Sequence, residues 1–191
     1  MSKVLQFFAN LAALVVLFVL FEFALIFWQL AHITDVSKYE NVKKLRWLRE
    51  DLIEHFPETI PATAQNPKLH YNGGFLQGGA VIELRLQMPA ESIEEIYSTY
   101  TRQAKASYKG VEELSRDADN LNMLPKWHFY TWPPQRNETR DTAPLLPQDF
   151  EIILFSTKPS KSNPTDWNHG ESAGISISKK RNEIIYWAED W

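Results

Sequence analysis

The stretch VLQFFANLAALVVLFVLFEFALIFWQLAHI, residues 4–33, holds only five strongly polar side chains, Gln6, Asn10, Glu22, Gln29 and His32, and residues 11–21 are apolar without a break. A helix of about 20 such residues crosses a hydrocarbon core of about 30 Å, so the stretch is long enough to span a bilayer with some tilt. The sequence then divides into a transmembrane anchor over residues 1–33 and one soluble domain over residues 34–191, an ordinary domain length. A cleaved secretory signal would have a shorter apolar region, about 7–15 residues, closed by a small-x-small site. Residues 27–32, FWQLAH, offer no such site, and with no cysteine in the chain there is no lipoprotein attachment. Trp28, near the distal end, suits the aromatic belt of a membrane interface.

Charge bears on orientation. Lys38, Lys43, Lys44, Arg46 and Arg49 follow the apolar stretch, whereas only Lys3 and the amino terminus precede it, which by the positive-inside rule places the domain in the cytoplasm. Against that count, the basic residues alternate with Glu40, Glu50 and Asp51 on a helix that folds with the domain. Long domains are also translocated largely regardless of charge. A Met-Ser-Lys start before a long apolar run is that of an ordinary signal anchor, and the expectation is a single-pass protein with an extracytoplasmic domain.

Absence of cysteine excludes disulfides, thiolate metal sites and cysteine catalysis. The net charge of −4 argues against nucleic acid as a partner, because that binding needs a basic face.

Within the domain, residues 80–88, AVIELRLQM, alternate strictly, with Ala80, Ile82, Leu84, Leu86 and Met88 on one side, and predict a strand with one buried face. Residues 68–71 are a second extended run that pairs with it as a hairpin across the Asn72-Gly73-Gly74 turn. Upstream, Ser37-Lys38-Tyr39-Glu40 has the form of a capping box. Tyr39, Val42, Leu45, Leu48, Leu52, Ile53 and Phe56 then recur at helical spacing, predicting one amphipathic helix that stops at Pro57. A second helix starts at Pro89, carries Ile93, Ile96, Tyr97, Tyr100 and Ala104, and ends near Gly110. Further strands are expected over residues 126–132 and 150–156, and a hairpin over residues 174–178 and 183–188. The fold class is α+β, with a mainly antiparallel sheet and two amphipathic helices behind the anchor.

Glu54-His55-Phe56-Pro57 with Ile60-Pro61, then Tyr71 and Gly74-Phe75-Leu76-Gln77-Gly78-Gly79, resemble a group of small bacterial membrane-anchored proteins with no assigned activity. The likeness covers about residues 50–100. It implies a bacterial source and carries over no catalytic residue.

Chemistry is sparse. Glu22 is the most unusual residue, since a carboxyl group inside a membrane helix costs about 2.5–3.5 kcal/mol on insertion scales and ordinarily faces a partner. Asn10, with Ala9, Ala12 and Ala13, adds positions that let helices approach. Gly73, Gly74, Gly78 and Gly79 lack the lysine and the helix start that a phosphate loop needs, and read as turn or bulge positions. The histidines at 32, 55, 70, 128 and 169 show no metal-ligand spacing, and no cofactor or metal is expected. Ser156, Ser172 and Ser176 lack a nucleophile pattern, and Glu94-Glu95 and Glu112-Glu113 read as solvated faces. Folding could still bring His70 and His128 together beside Glu83 or Asp166.

Aromatic residues are dense over Trp127, Phe129, Tyr130 and Trp132, with Trp167 in a long loop and Trp191 at the end. Such side chains serve binding surfaces and cores alike. The expected function is that of a membrane-anchored accessory or assembly subunit, not an enzyme. Its partners would be the bilayer and other membrane protein subunits, met through Glu22, Asn10, Trp28, Trp132, Trp167 and Trp191. Two alternatives remain open: an extracytoplasmic domain binding a glycan or small molecule through Trp132 and Trp167, and a hydrolase with a spatially assembled His/acid site.

Overall fold

The computed structural model describes residues 3–45, 50–73, 80–110, 146–158 and 170–190, with backbone alone for residues 3–5, 9, 26–31, 157 and 158. Helix α1, Lys3–Ala31, contains the stretch Gln6–Leu25, which is long and apolar enough to cross a membrane and has no part buried. The chain passes without a linker from α1 into strand β1, His32–Ile33, which pairs with Asn72 and Tyr71 of β2. The remaining elements are α2 (Tyr39–Lys43), α3 (Glu50–Ile53), β2 (Gln65–Asn72), β3 (Ala80–Gln87) and α4 (Ala90–Thr101), then β4 (Ala106–Lys109), β5 (Glu151–Lys158), β6 (Glu171–Ser178) and β7 (Glu183–Asp190).

The strands form one seven-stranded antiparallel sheet in the order β1-β2-β3-β7-β6-β5-β4. Both expected hairpins form, β2 with β3 and β6 with β7, and the eight-residue ladder between β3 and β7 fuses them. Register then carries the alternation of each strand across the sheet. Leu69, Leu84, Tyr186, Ile175 and Ile153 stand in one row over five strands, all buried. Against this face pack Tyr39 and Val42 of α2, Leu52 and Ile53 of α3, Phe56, and Ile93 of α4. Burying a leucine or isoleucine side chain contributes about 1.5–3 kcal/mol, so this row and its helical cover hold the domain together.

Four expectations are corrected. The helix expected over residues 37–56 appears as α2 and α3, with residues 46–49 outside the described residues. Its cap is not Ser37. Asp35 accepts hydrogen bonds from the Ser37 amide and hydroxyl at 3.0 and 2.7 Å, and so caps a 3₁₀ turn, Val36–Lys38, that leads into α2. The second helix ends at Thr101, and residues 106–109 form β4, because Ala106 and Tyr108, two apart, pack on the same cluster as Leu154. Gly110 does take a positive φ of 73°, but it closes a strand, its amide donating to the Phe150 carbonyl at 2.8 Å. Finally, β3 is buried on both faces: Glu83 and Arg85 lie in the interior along with Ile82 and Leu84.

At the ladder between β5 and β6 the register skips Phe155, a bulge between Leu154 and Ser156. Gly174 sits beside it. A Cβ there would meet the Ile153 carbonyl oxygen and come within 2.7 Å of Cζ2 of Trp187, whose indole lies across β6 where a side chain would stand. Gly174→Ala is expected to destabilise the domain by about 1–3 kcal/mol through overpacking. Thermal unfolding of the detergent-solubilised protein measures it, and an unchanged midpoint would mean that the β5 backbone at Ile153 and the Trp187 indole both give way freely.

Candidate functional site

Strand periodicity places a second set of side chains on the opposite face of the sheet. One row runs His70, Glu83, Trp187, Gly174, Leu154, Ala106, and the next runs Lys68, Arg85, Ile185, Ser176, Ile152, Tyr108. The β4–β5 half of this face is apolar, where Leu146, Phe150, Ile152, Leu154, Ile185 and Trp187 cluster. The rest of this face carries polar side chains of β3, β6 and β7, and they are still buried: Glu83 is 5%, Arg85 8%, and Ser172, Ser176 and Glu189 0% exposed. Charges at such depth are costly unless paired and hydrogen-bonded, so a seam of this kind needs internal partners. Ser172 Oγ donates to Glu189 Oε1 at 2.6 Å, and Arg85 Nε lies 3.4 Å from Glu183 Oε1.

At the end where α1 enters the sheet, the rings of His32 and His70 meet edge to face with centroids 5.1 Å apart, and Glu83 stands opposite His70 in register. Two histidines and a carboxylate, remote in sequence, thus share one corner of the polar face. At the other end of the seam Asp149 accepts from Ser178 Oγ at 2.5 Å and from the Arg181 guanidinium at 3.0 Å. Burial opposes the Asp149 charge, but the bonds from Ser178 and Arg181 prevail and hold its carboxyl below the usual range.

A further histidine, His55, is one that the spacing of histidines does not single out. Its Nε2 lies 3.0 Å from the Gly174 carbonyl oxygen and 3.2 Å from that of Trp187, beside the bulge. With two acceptors in front of it, Nε2 carries the proton and donates, which assigns the tautomer by its partners. Phe56 and Phe155 enclose the ring at centroid distances of 4.7 and 5.0 Å. Tyr100 Oη donates to the His55 carbonyl, and Tyr39 Oη and Lys43 Nζ both donate to the Pro57 carbonyl. The segment His55-Phe56-Pro57 is therefore bonded to β6, β7, α2 and α4 at once. Burial pushes the imidazole down to about 4, against the opposite pull of the carbonyl oxygens. The same burial raises the Tyr39 and Tyr186 hydroxyls.

Among the residues expected to act, Asn10 and Glu22 are both exposed on α1. Twelve positions apart at about 100° each, they are about 120° apart around the helix and do not form one site. Trp28 belongs to the last part of α1, where the backbone alone is described. Trp132, Trp167, Trp191, His128, Asp166 and the strand expected over residues 126–132 lie outside the described residues. His70 does stand beside Glu83, half of the constellation considered for hydrolysis. Ser172 is bonded to Glu189 in the interior, Glu94 and Glu95 are exposed on α4, and Glu94 pairs with Lys179 at 2.6 Å. Among the described residues no group of three or more histidine and acidic side chains is placed to hold a metal ion. No family model, curated protein or solved structure matches the chain.

Two measurements test the seam and the bulge. Ser172→Ala removes a donor from a carboxylate with no solvent access, and a loss of about 1–3 kcal/mol is expected in a urea titration; no loss would mean that another donor replaces it. For His55 the folded value lies below the ordinary 6.5, so as pH falls the unfolded chain takes up its proton first. The stability that neutral His55 contributes is complete above about pH 6.5, is lost as pH falls towards 4, and levels off below that, for about 3 kcal/mol in all. His55→Gln should flatten the dependence over this window, and an equally steep curve in the variant would assign it to other groups.

Proposed function

We propose that this is a single-pass membrane protein of the bacterial inner membrane that serves as an accessory or assembly subunit, docking onto a larger membrane complex through α1 and its soluble domain. One observation carries the membrane half of this reading. Among the described residues, every large apolar side chain left exposed lies on α1, between Phe7 and Leu25, whereas those of the sheet and the other helices are buried or partly buried. A helix apolar all round and buried against nothing in its own chain fits hydrocarbon as its surroundings. The soluble domain is then displayed on the extracytoplasmic side, held close to the bilayer by the pairing of β1 with β2.

The docking half rests on the chemistry of α1 and on what the interior offers. The polar groups that could have formed a reaction centre, Glu83, Arg85, Ser172 and Glu189, are withdrawn from solvent, and their described partners are other residues of the fold. Glu22, by contrast, is exposed on the helix, where a neighbouring subunit could reach it. A carboxyl group in that setting gains most from a hydrogen-bonding or basic side chain of another helix.

Mild-detergent extraction followed by native sizing is expected to return a species larger than the chain alone, with another membrane protein in it. Glu22→Leu should weaken that association by about 0.6–2 kcal/mol, and Glu22→Gln, which keeps a hydrogen-bonding group, by less. Equal recovery of the partner by wild type and both variants would show the carboxyl to be incidental. A discrete monomer without a co-purifying protein would overturn the subunit role itself.

A further inference from the structure

The surface of α1 is not uniform. Gln6, Asn10, Ala13, Leu17, Leu20 and Ala24 follow one another at steps of four, three, four, three and four residues, and all are exposed. At about 100° per residue they fall within an arc of about 80°, and no other residue of the stretch Gln6–Leu25 falls there. The arc contains two carboxamides, two alanines and two leucines. Its surroundings differ: Phe7, Phe8, Phe18, Phe21 and Phe23 all point elsewhere, and so does Glu22. The phenylalanines that bar close approach are thus on the rest of the helix, and the strip carries both carboxamides of the stretch together with Ala13 and Ala24.

We propose that this strip is a homodimer seam, on which a second copy of the chain packs with the same six residues. The inference rests on the membrane reading above. Steps of four and three are those of any face of an α-helix, and they let this strip face a partner along two supercoiled helices. Two copies inserted in the same direction are parallel, so a two-fold axis brings each seam residue to its own counterpart. Asn10 satisfies that condition because a carboxamide carries both donor and acceptor, and two of them bond each other across the axis. A carboxylate at the same place would meet its own charge, and Glu22 is off the seam. Lipid alone would leave the Asn10 amide without a hydrogen bond in hydrocarbon, and Ala13 and Ala24 let the backbones come close enough to close it. With the seam taken by a second copy, Glu22 remains about 160° around the helix from its middle and free to meet a different helix.

The chain has no cysteine, so single-cysteine variants read the seam without background. Membranes carrying Ala13→Cys, Leu17→Cys, Leu20→Cys or Ala24→Cys, treated with a mild oxidant, are expected to give strong disulfide-linked dimer, and Val15→Cys, Phe18→Cys and Leu25→Cys little. Asn10→Leu combined with Ala13→Cys should lower the dimer yield about three- to tenfold, and Asn10→Gln should restore part of it. Each variant is first washed in alkaline carbonate. Loss of the chain from the membrane pellet would overturn the membrane reading and the seam with it. Retention in the pellet with a flat or shifted cross-linking profile, or with Asn10→Leu as effective as asparagine, would overturn the seam alone.

Discussion

The ladder between β3 and β7 is the constraint on which the rest of the fold depends. Each hairpin taken singly is two strands with one greasy side, too little to persist in water. Eight consecutive pairs, from Ala80 with Asp190 to Gln87 with Glu183, join them into a sheet wide enough to have an interior. Register then does the sorting. Because side chains alternate with period two, a slip of one residue in this ladder would send Ile184 and Tyr186 to the polar side and Ile185 and Trp187 to the helices. The neighbouring ladders keep the same alternation: β6 with β7 sets Trp187 opposite Gly174, β5 with β6 puts the bulge next to it, and His55 bonds the carbonyls of both residues.

The parts of this arrangement legible in the sequence are those governed by local period. Residues 80–88 announce β3 by alternation, the Lys179-Lys180-Arg181-Asn182 turn marks the hairpin of β6 and β7, and α1 is visible from its length and hydropathy. Illegible were properties set by what covers a strand. Glu83 and Arg85 alternate with Ile82 and Leu84 like any surface pair, and only the packed sheet shows both sides of β3 enclosed. The four residues of β4 are too few for a period to declare itself, and in sequence they continue the polar tail of α4. Asp35 caps the 3₁₀ turn, and α2 behind it starts at Tyr39 with no side-chain cap, so the Ser37 capping box is replaced by a turn that local pattern does not announce.

Less of the candidate site was legible, and for a different reason. His32 and His70 are 38 positions apart, and their contact exists only because β1 pairs with the end of β2. His55 carried a local signal, its place in the His55-Phe56-Pro57 run, but nothing in that run names Gly174 or Trp187 as its acceptors. A histidine that bonds two main-chain carbonyls is fixed by backbone geometry far away in the chain, where side-chain pattern is silent. Asn10 and Glu22 show the converse: helix geometry alone separates them, and puts the two polar groups on different sides of α1.

The direct passage from Ala31 in α1 to His32 in β1 has a mechanical meaning. A flexible leash of about ten residues would let a domain wander about 17 Å from its attachment point, at about 5–6 Å times the square root of its length. Here the leash has length zero. On the membrane reading proposed above, the domain has no search volume of its own, and lateral diffusion in the plane of the anchor is its means of meeting a partner. The two pairs that His32 and Ile33 make with β2 are the tie between helix and sheet. Whatever grips the helix has hold of the sheet.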